Sequence, residues 1–225
     1  MKSVVFFVFL FVFSLSVPVF AQFGRATAGL QQLRLSGSLP GGAETTYQNF
    51  AWGGGGFGRI GERFLIGGGG WGALRSPWQA AATDGLQTRT NYGMGFLDAG
   101  WILAQRKRHF HYFFAGVGGG DVRMEYTNTG SSALELSPGF ILAPEQQVRL
   151  QSGGFGWEAG LSLNRLLYSR EARTGGYKIG VELGMSMLPR MSAWEIQGTN
   201  TTLNDFGRPN ATTFFIRLSL GGGWL

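Results

Sequence analysis

Cysteine is absent from the 225 residues, which excludes a disulfide framework, a thiolate zinc site and a cysteine nucleophile. Charge is scarce too. Asp, Glu, Lys and Arg make up 14% of the chain, well short of the roughly 25% of a soluble domain. Between Gln22 and Leu225 nothing approaches the ~20 consecutive apolar residues of a membrane-spanning helix. What the chain has instead is glycine, 39 residues, or about 17% against a usual ~7%, and 14% aromatic residues. That much glycine is too rich for a helical bundle, and it lacks the G-X-Y period of collagen. Few charges and many aromatics imply a surface that largely faces something other than water.

The first residues read as a secretory leader. Lys2 precedes an apolar run from Val4 to Phe13, Ser14 and Ser16 break it, and Val19-Phe20-Ala21 puts small residues at −3 and −1 of a cleavage site after Ala21. The expected division is a signal peptide over 1–21 and one domain over 22–225. Removing Lys2 leaves 18 basic against 13 acidic residues, a net +5. Apart from Arg106-Lys107-Arg108 and Arg165, Arg170 and Arg173, the cations are scattered. A nucleic-acid binder would gather them on one face, so no nucleic-acid partner is expected.

With a period of two, the remaining chain divides into about eight segments in which one parity is apolar or glycine and the other polar. The clearest sets Tyr177, Ile179, Val181, Leu183, Met185 and Met187 against Lys178, Gly180, Glu182, Gly184 and Ser186. From His109 to Tyr126, Phe110, Tyr112, Phe114 and the even positions beyond oppose His111, Asp121, Arg123 and Glu125. Similar alternation sets Leu97, Ala99, Trp101 and Leu103 against Asp98, Phe155 to Leu163 against Glu158, and Phe214 to Leu220 with Trp224 against Arg217. The weakest segment sets Leu33, Leu35 and Leu39 against Gln32, Arg34 and Ser36. Tyr47–Ile60 and Arg63–Leu74 are joined by Gly61-Glu62, which suits a two-residue type II′ hairpin and pairs residues whose numbers sum to 123.

The connections alternate in length. Gly61-Glu62, Arg106-Lys107-Arg108 and Ser169–Gly176 are short; Pro40–Thr46, Arg75–Gln87, Thr127–Gln146 and Pro189–Asn210 are mostly longer. Short turns at one end and long loops at the other are the habit of a membrane barrel, and only a closed sheet lets strands cross a bilayer with every backbone group satisfied. The expected fold is therefore all-β: an eight-stranded antiparallel up-and-down transmembrane β-barrel after a cleaved signal peptide. By pattern, residues 30–225 resemble the small outer-membrane barrels of the OmpA and OmpX type. That resemblance implies location in a bacterial outer membrane, a monomer in contact with membrane lipids, and insertion by the outer-membrane assembly machinery, although the terminal Gly223-Trp224-Leu225 puts its aromatic one place early.

Eight strands enclose a space that side chains fill. The parity taken as inward carries Arg34, Arg59, Asp98, Asp121, Arg123, Glu125, Glu158, Lys178, Glu182 and Arg217. At matching heights, Glu158 and Glu182 are expected to accept hydrogen bonds from Arg217 and Arg34 in a lumenal ladder, with Asp98 or Lys178 nearby. Gly53, Gly54, Gly55 and Gly56 set against Gly67, Gly68, Gly69 and Gly70 would make a thin-walled patch. It reads either as tight curvature with room for large lumenal side chains, or as a groove for an acyl chain, a partner barrel or a ligand. Arg106, Lys107, Arg108, Arg170 and Arg173 form a basic periplasmic rim suited to anionic headgroups.

The expected role is structural, adhesive or surface-recognition, through loop residues such as Arg75, Trp78, Asp84, Trp194 and Arg208. The ligand or protein partner is not legible. A lipid-modifying enzyme would have to use Asp121, Arg123 and Glu125 with Ser131 and Ser132, or His109 and His111. A narrow solute channel would use the lumenal charges, and a secreted glycine-rich β-sandwich would bury the apolar parity. No residue is assigned to catalysis or to a metal, and no cofactor is implied.

Overall fold

The computed structural model describes residues 22–37, 45–73, 79–80, 85–106, 108–137, 140–168, 176–199, 201–203 and 206–223. The expected leader over 1–21, and Trp224, lie outside them. The strands are β1 (Gln22–Ser36), β2 (Thr45–Ile60), β3 (Phe64–Ala73), β4 (Gln79–Ala80), β5 (Leu86–Arg106), β6 (His109–Asn128), β7 (Leu134–Ser137), β8 (Phe140–Leu142), β9 (Gln147–Tyr168), β10 (Gly176–Leu188), β11 (Trp194–Ile196), β12 (Thr202–Leu203) and β13 (Asn210–Gly223).

Eight strands close into a ring in the order β1, β2, β3, β5, β6, β9, β10, β13. All neighbours are antiparallel, and β13 returns to β1 from Phe23 opposite Gly223 to Ser36 opposite Asn210. The start of β1, the end of β13 and the short β2–β3, β5–β6 and β9–β10 turns share one end; the longer connections lie at the other. The outward parity is apolar and open: Leu30, Phe155 and Ile216 are more than half exposed, and so are Trp52, Leu97 and Leu218. A closed sheet with an apolar outside and a packed inside is the architecture of bacterial outer-membrane barrels, with short turns periplasmic and long loops outside. β5, β6 and β9 have 21, 20 and 22 residues, about twice the 9–11 that cross a bilayer. They rise past the apolar belt as a tall wall.

Several expectations need correction. The β2–β3 turn has three residues, Gly61 to Arg63, with Gly61 at φ 65, and paired numbers sum to 124, not 123. The reason is parity: a one-residue slip would turn Leu65 and Trp71, both buried inside, out to lipid. The first strand begins at Gln22, and its lumenal face is Phe23, Arg25, Thr27, Gln31, Leu33 and Leu35, so Arg34 points outward and is exposed. On β6, Phe110, Tyr112 and Phe114 are buried inside, whereas Asp121 and Arg123 lie on the outer parity. An eight-stranded lumen must be filled, and filling it with aromatics makes both faces of β6 apolar, so alternation alone does not say which face is which.

The interior has two apolar clusters. Phe23, Phe57, Leu65, Phe110, Tyr112 and Phe114 fill the periplasmic half. Leu33, Tyr47, Trp71, Phe96 and Tyr126 continue toward the outside and pack under Leu136, Leu142, Met191, Trp194 and Phe206 from the loop segments. The loops thus cover the barrel mouth with apolar side chains.

Candidate functional site

Between the apolar clusters sits a layer of buried charge. Arg25, Asp98, Glu158, Lys178, Glu182 and Arg217 are each less than a tenth exposed. Three basic side chains stand with three acidic ones, so their formal charges cancel. Arg25 Nη1 donates to Glu182 Oε1 at 2.6 Å and to the Tyr112 hydroxyl at 3.3 Å, while Nη2 lies 3.8 Å from Asp98 Oδ2. Trp71 Nε1 donates to Glu158 Oε2 at 3.3 Å. Glu182 is the direct cross-strand partner of Arg217.

The wiring differs from the expected ladder at two points. Arg34 is not in the lumen; Arg25 supplies the first-strand cation. Its signal in the sequence is the alternation Phe23, Arg25, Thr27, opposite Gly24, Ala26 and Ala28. Arg217 does not simply clasp carboxylates: its guanidinium carbon lies 3.6 Å from the Phe215 ring centre and 4.3 Å from that of Trp71. Lys178 Nζ sits 4.2 Å from the Phe23 ring centre. Ring faces carry negative quadrupole density and hold such cations where carboxylates are few.

The glycines fit around these groups. A Cβ at Gly116 would fall onto the Asp98 carboxylate, one at Gly221 would come 2.9 Å from Lys178 Cε, and one at Gly160 would come 2.6 Å from Phe114 Cζ. Gly53 faces Trp71, Gly54, Gly55 and Gly56 face Gly70, Gly69 and Gly68, and Gly67 faces Phe57. Inward Cβ atoms at Gly53, Gly55 and Gly67 would collide with carbonyl oxygens of the neighbouring strand. Strong local coiling of the wall accounts for the run. On the outer face, Gly54, Gly70, Gly95 and Gly119 form one lateral row across four strands.

Of the basic rim, Arg106 and Arg108 are exposed; Lys107, Arg170 and Arg173 lie outside the described residues. His109 and His111 face outward beside them with ring centres 5.8 Å apart. Arg59 stays on the inward parity at the periplasmic mouth, where it donates to Gly61 O and to Gln105. Among the described residues, no group of three or more His, Asp or Glu could hold a metal.

On the tall wall, Arg89, Glu125 and Arg149 are cross-strand neighbours on β5, β6 and β9. Glu125 accepts from Arg89 Nε at 3.0 Å and from Arg149 Nε at 2.7 Å. Burial alone would raise the Glu125 carboxyl, but hydrogen bonds from Arg149 and Arg89 outweigh it and hold the group below the usual glutamate range. Arg123 Nε bonds Asp121 at 2.8 Å one turn of the pleat below. Both carboxylates are thus in ion pairs on the outer surface, not in the lumen.

The loops are tied to this wall. Buried Asn128 donates to Ser132 O at 2.8 Å and Leu142 O at 2.9 Å, and accepts from Gly130 N at 2.9 Å. β11 adds itself to β9 through Glu195 opposite Gln151 and Ile196 opposite Leu150. Ser192 N donates to Gly153 O at 2.7 Å and Ser152 Oγ to Ser192 O at 2.6 Å. Trp194, expected as an exposed binding group, is fully buried: its indole seals the mouth, because the largest apolar group of a loop gains most from leaving water. Arg208 is exposed as expected; Arg75, Trp78 and Asp84 lie outside the described residues. Ile141 is 61% exposed on β8.

No family model matches the chain, and no curated protein does either. Solved structures similar to it include Ail, the attachment invasion locus protein of Yersinia pestis, at 9% identity and a TM-score of 0.47, covering 88% of this chain and 97% of that one. The outer membrane protease OmpT of Escherichia coli is similar at 12% identity and a TM-score of 0.40, covering 93% and 98%. Neisserial surface protein A is similar at 13% identity and a TM-score of 0.37, covering 89% and 97%.

Proposed function

We propose that the chain is a monomeric outer-membrane barrel whose plugged lumen makes a rigid scaffold and whose loops, tied to the tall β5–β6–β9 wall, present a surface for adhesion or recognition. The observation that carries this reading is the anchoring of the loops. Asn128 bonds to two loop carbonyls, β11 pairs with β9, and Trp194 is buried under them. Ordered loops on a fixed frame bind without a large ordering cost. Among the described loop residues, Ile141, Arg190 and Arg208 are left in the open. The ion pairs of Glu125 and Asp121 support the wall and leave neither carboxylate free as a base, which argues against lipid chemistry there.

The test is binding of the nanodisc-embedded protein to panels of surface glycans and matrix proteins, with Ile141→Asp and Arg208→Gln as variants. A ligand whose binding weakens in these variants, while unboiled samples still migrate as folded barrels, is the expected result. No ligand on either panel, or a ligand indifferent to both substitutions, overturns the reading.

A further inference from the structure

The outer face at the periplasmic end carries a second feature, independent of the loops. β6, β9, β10 and β13 are neighbours there, and their registers align two lateral rows. His109 lies opposite Arg165, Arg165 opposite Ile179, and Ile179 opposite Leu220; one step up, the row runs His111, Leu163, Val181. His109, His111, Leu163, Arg165, Val181 and Leu218 line a shallow cleft of ≈ 320 Å³. Its rim is basic and its floor aliphatic.

The polar edge is specific in kind. The Asn164 backbone N–H donates to His111 Nδ1 at 3.2 Å, which leaves Nε2 as the ring nitrogen open to a ligand. Arg106 is the cross-strand partner of His109 on the other side, and Arg108 is exposed in the turn. Among the described residues none of these arginines, nor Arg165, is in an ion pair. Among the described residues the cluster therefore offers several donors and no acceptor carboxylate, beside the short β5–β6 turn at the periplasmic end.

We propose that this cleft is a binding site for one anionic glycerophospholipid of the inner leaflet, its phosphate held by His109, His111 and Arg165 and an acyl chain lying along Leu163, Val181 and Leu218. A phosphodiester supplies the acceptors the cluster lacks, and the chain covers the aliphatic floor. This goes beyond general bilayer contact because it fixes one lipid in one orientation.

The test uses the whole barrel, delipidated in detergent and offered dioleoyl phosphatidylglycerol, dioleoylglycerol or inorganic phosphate, with bound molecules counted by native mass spectrometry. One retained phosphatidylglycerol is expected, with occupancy about fivefold lower in Arg165→Gln, lower in His111→Gln, and lower in Val181→Trp, which fills the floor and keeps every charge. Arg208→Gln, at the far end, should bind like wild type. Equal retention in all variants, or of dioleoylglycerol, overturns the site; variant-sensitive binding of inorganic phosphate as strong as the lipid overturns the acyl half of it. Heat-modifiable migration shows that each variant is folded.

Discussion

Arg25 and Arg34 are nine residues apart on one strand, yet one is buried among carboxylates and the other faces out. Removing Arg25 strands Glu182 and Asp98 in a dry interior, where an unpaired charge costs about 3–5 kcal/mol. Arg25→Met should therefore lower the midpoint of thermal unfolding, read by boiled and unboiled migration, far more than Arg34→Met; equal effects would mean that the buried pair contributes nothing. The glycines divide in the same way. Gly116→Ala would press a methyl onto Asp98, at about 1–3 kcal/mol, whereas a Cβ at Gly95 meets only Gly69 O at 3.7 Å, so Gly95→Ala should be close to neutral in the same assay. Asp98, Glu158, Lys178, Glu182 and Arg217 stand on the parity opposite the lipid-facing apolar residues of their strands, which is what marks them as inward in the sequence. Arg34 differs because Leu33 and Leu35, apolar enough to face lipid, fill the lumen instead and turn it outward.

Strands were easier to find than their faces. All eight barrel strands show a period of two, but β1 and β6 bury large apolar groups on the lumenal side, so on these strands the more apolar parity is not the lipid-facing one. Nor does the sequence number the residues of a turn: Gly61 permits two or three, and burial of Leu65 and Trp71 decides. The upper ends of β5, β6 and β9 are held by the Arg89–Glu125–Arg149 row, and its pH dependence has a definite sign. The folded state holds the Glu125 pKa below that of the unfolded chain, so its stabilising contribution is complete above the unfolded glutamate range of about 4.3 and is lost as pH falls through the depressed folded value. Amide exchange at the upper ends of these strands should speed up between neutral pH and about pH 3 relative to the lower ends, once corrected for intrinsic rates. Glu125→Gln should exchange fast at both; a wild type with no pH-dependent difference would remove the row from the wall's stability.

As a whole molecule, the barrel is blocked three times over along its axis. Phe23, Phe57, Phe110 and Tyr112 crowd the periplasmic half, the charge layer spans the middle, and Trp194, Met191 and Phe206 close the top. The sequence carried the middle block, as charges in alternating strands, but not the lid: Trp194 stands in a polar loop with nothing local to show that it folds inward. A solute path would have to breach all three layers at once. In planar bilayers the wild type should therefore give no stepwise current, and neither should Glu158→Gln, which removes a lumenal charge without making space. Trp194→Ala should unfold more readily, by about 3–5 kcal/mol for a buried aromatic truncated to methyl, and still not conduct, because the two lower layers remain. Steady single-channel steps from the wild type, altered in size by Glu158→Gln, would show that the charge layer lines an open pore and not a plug.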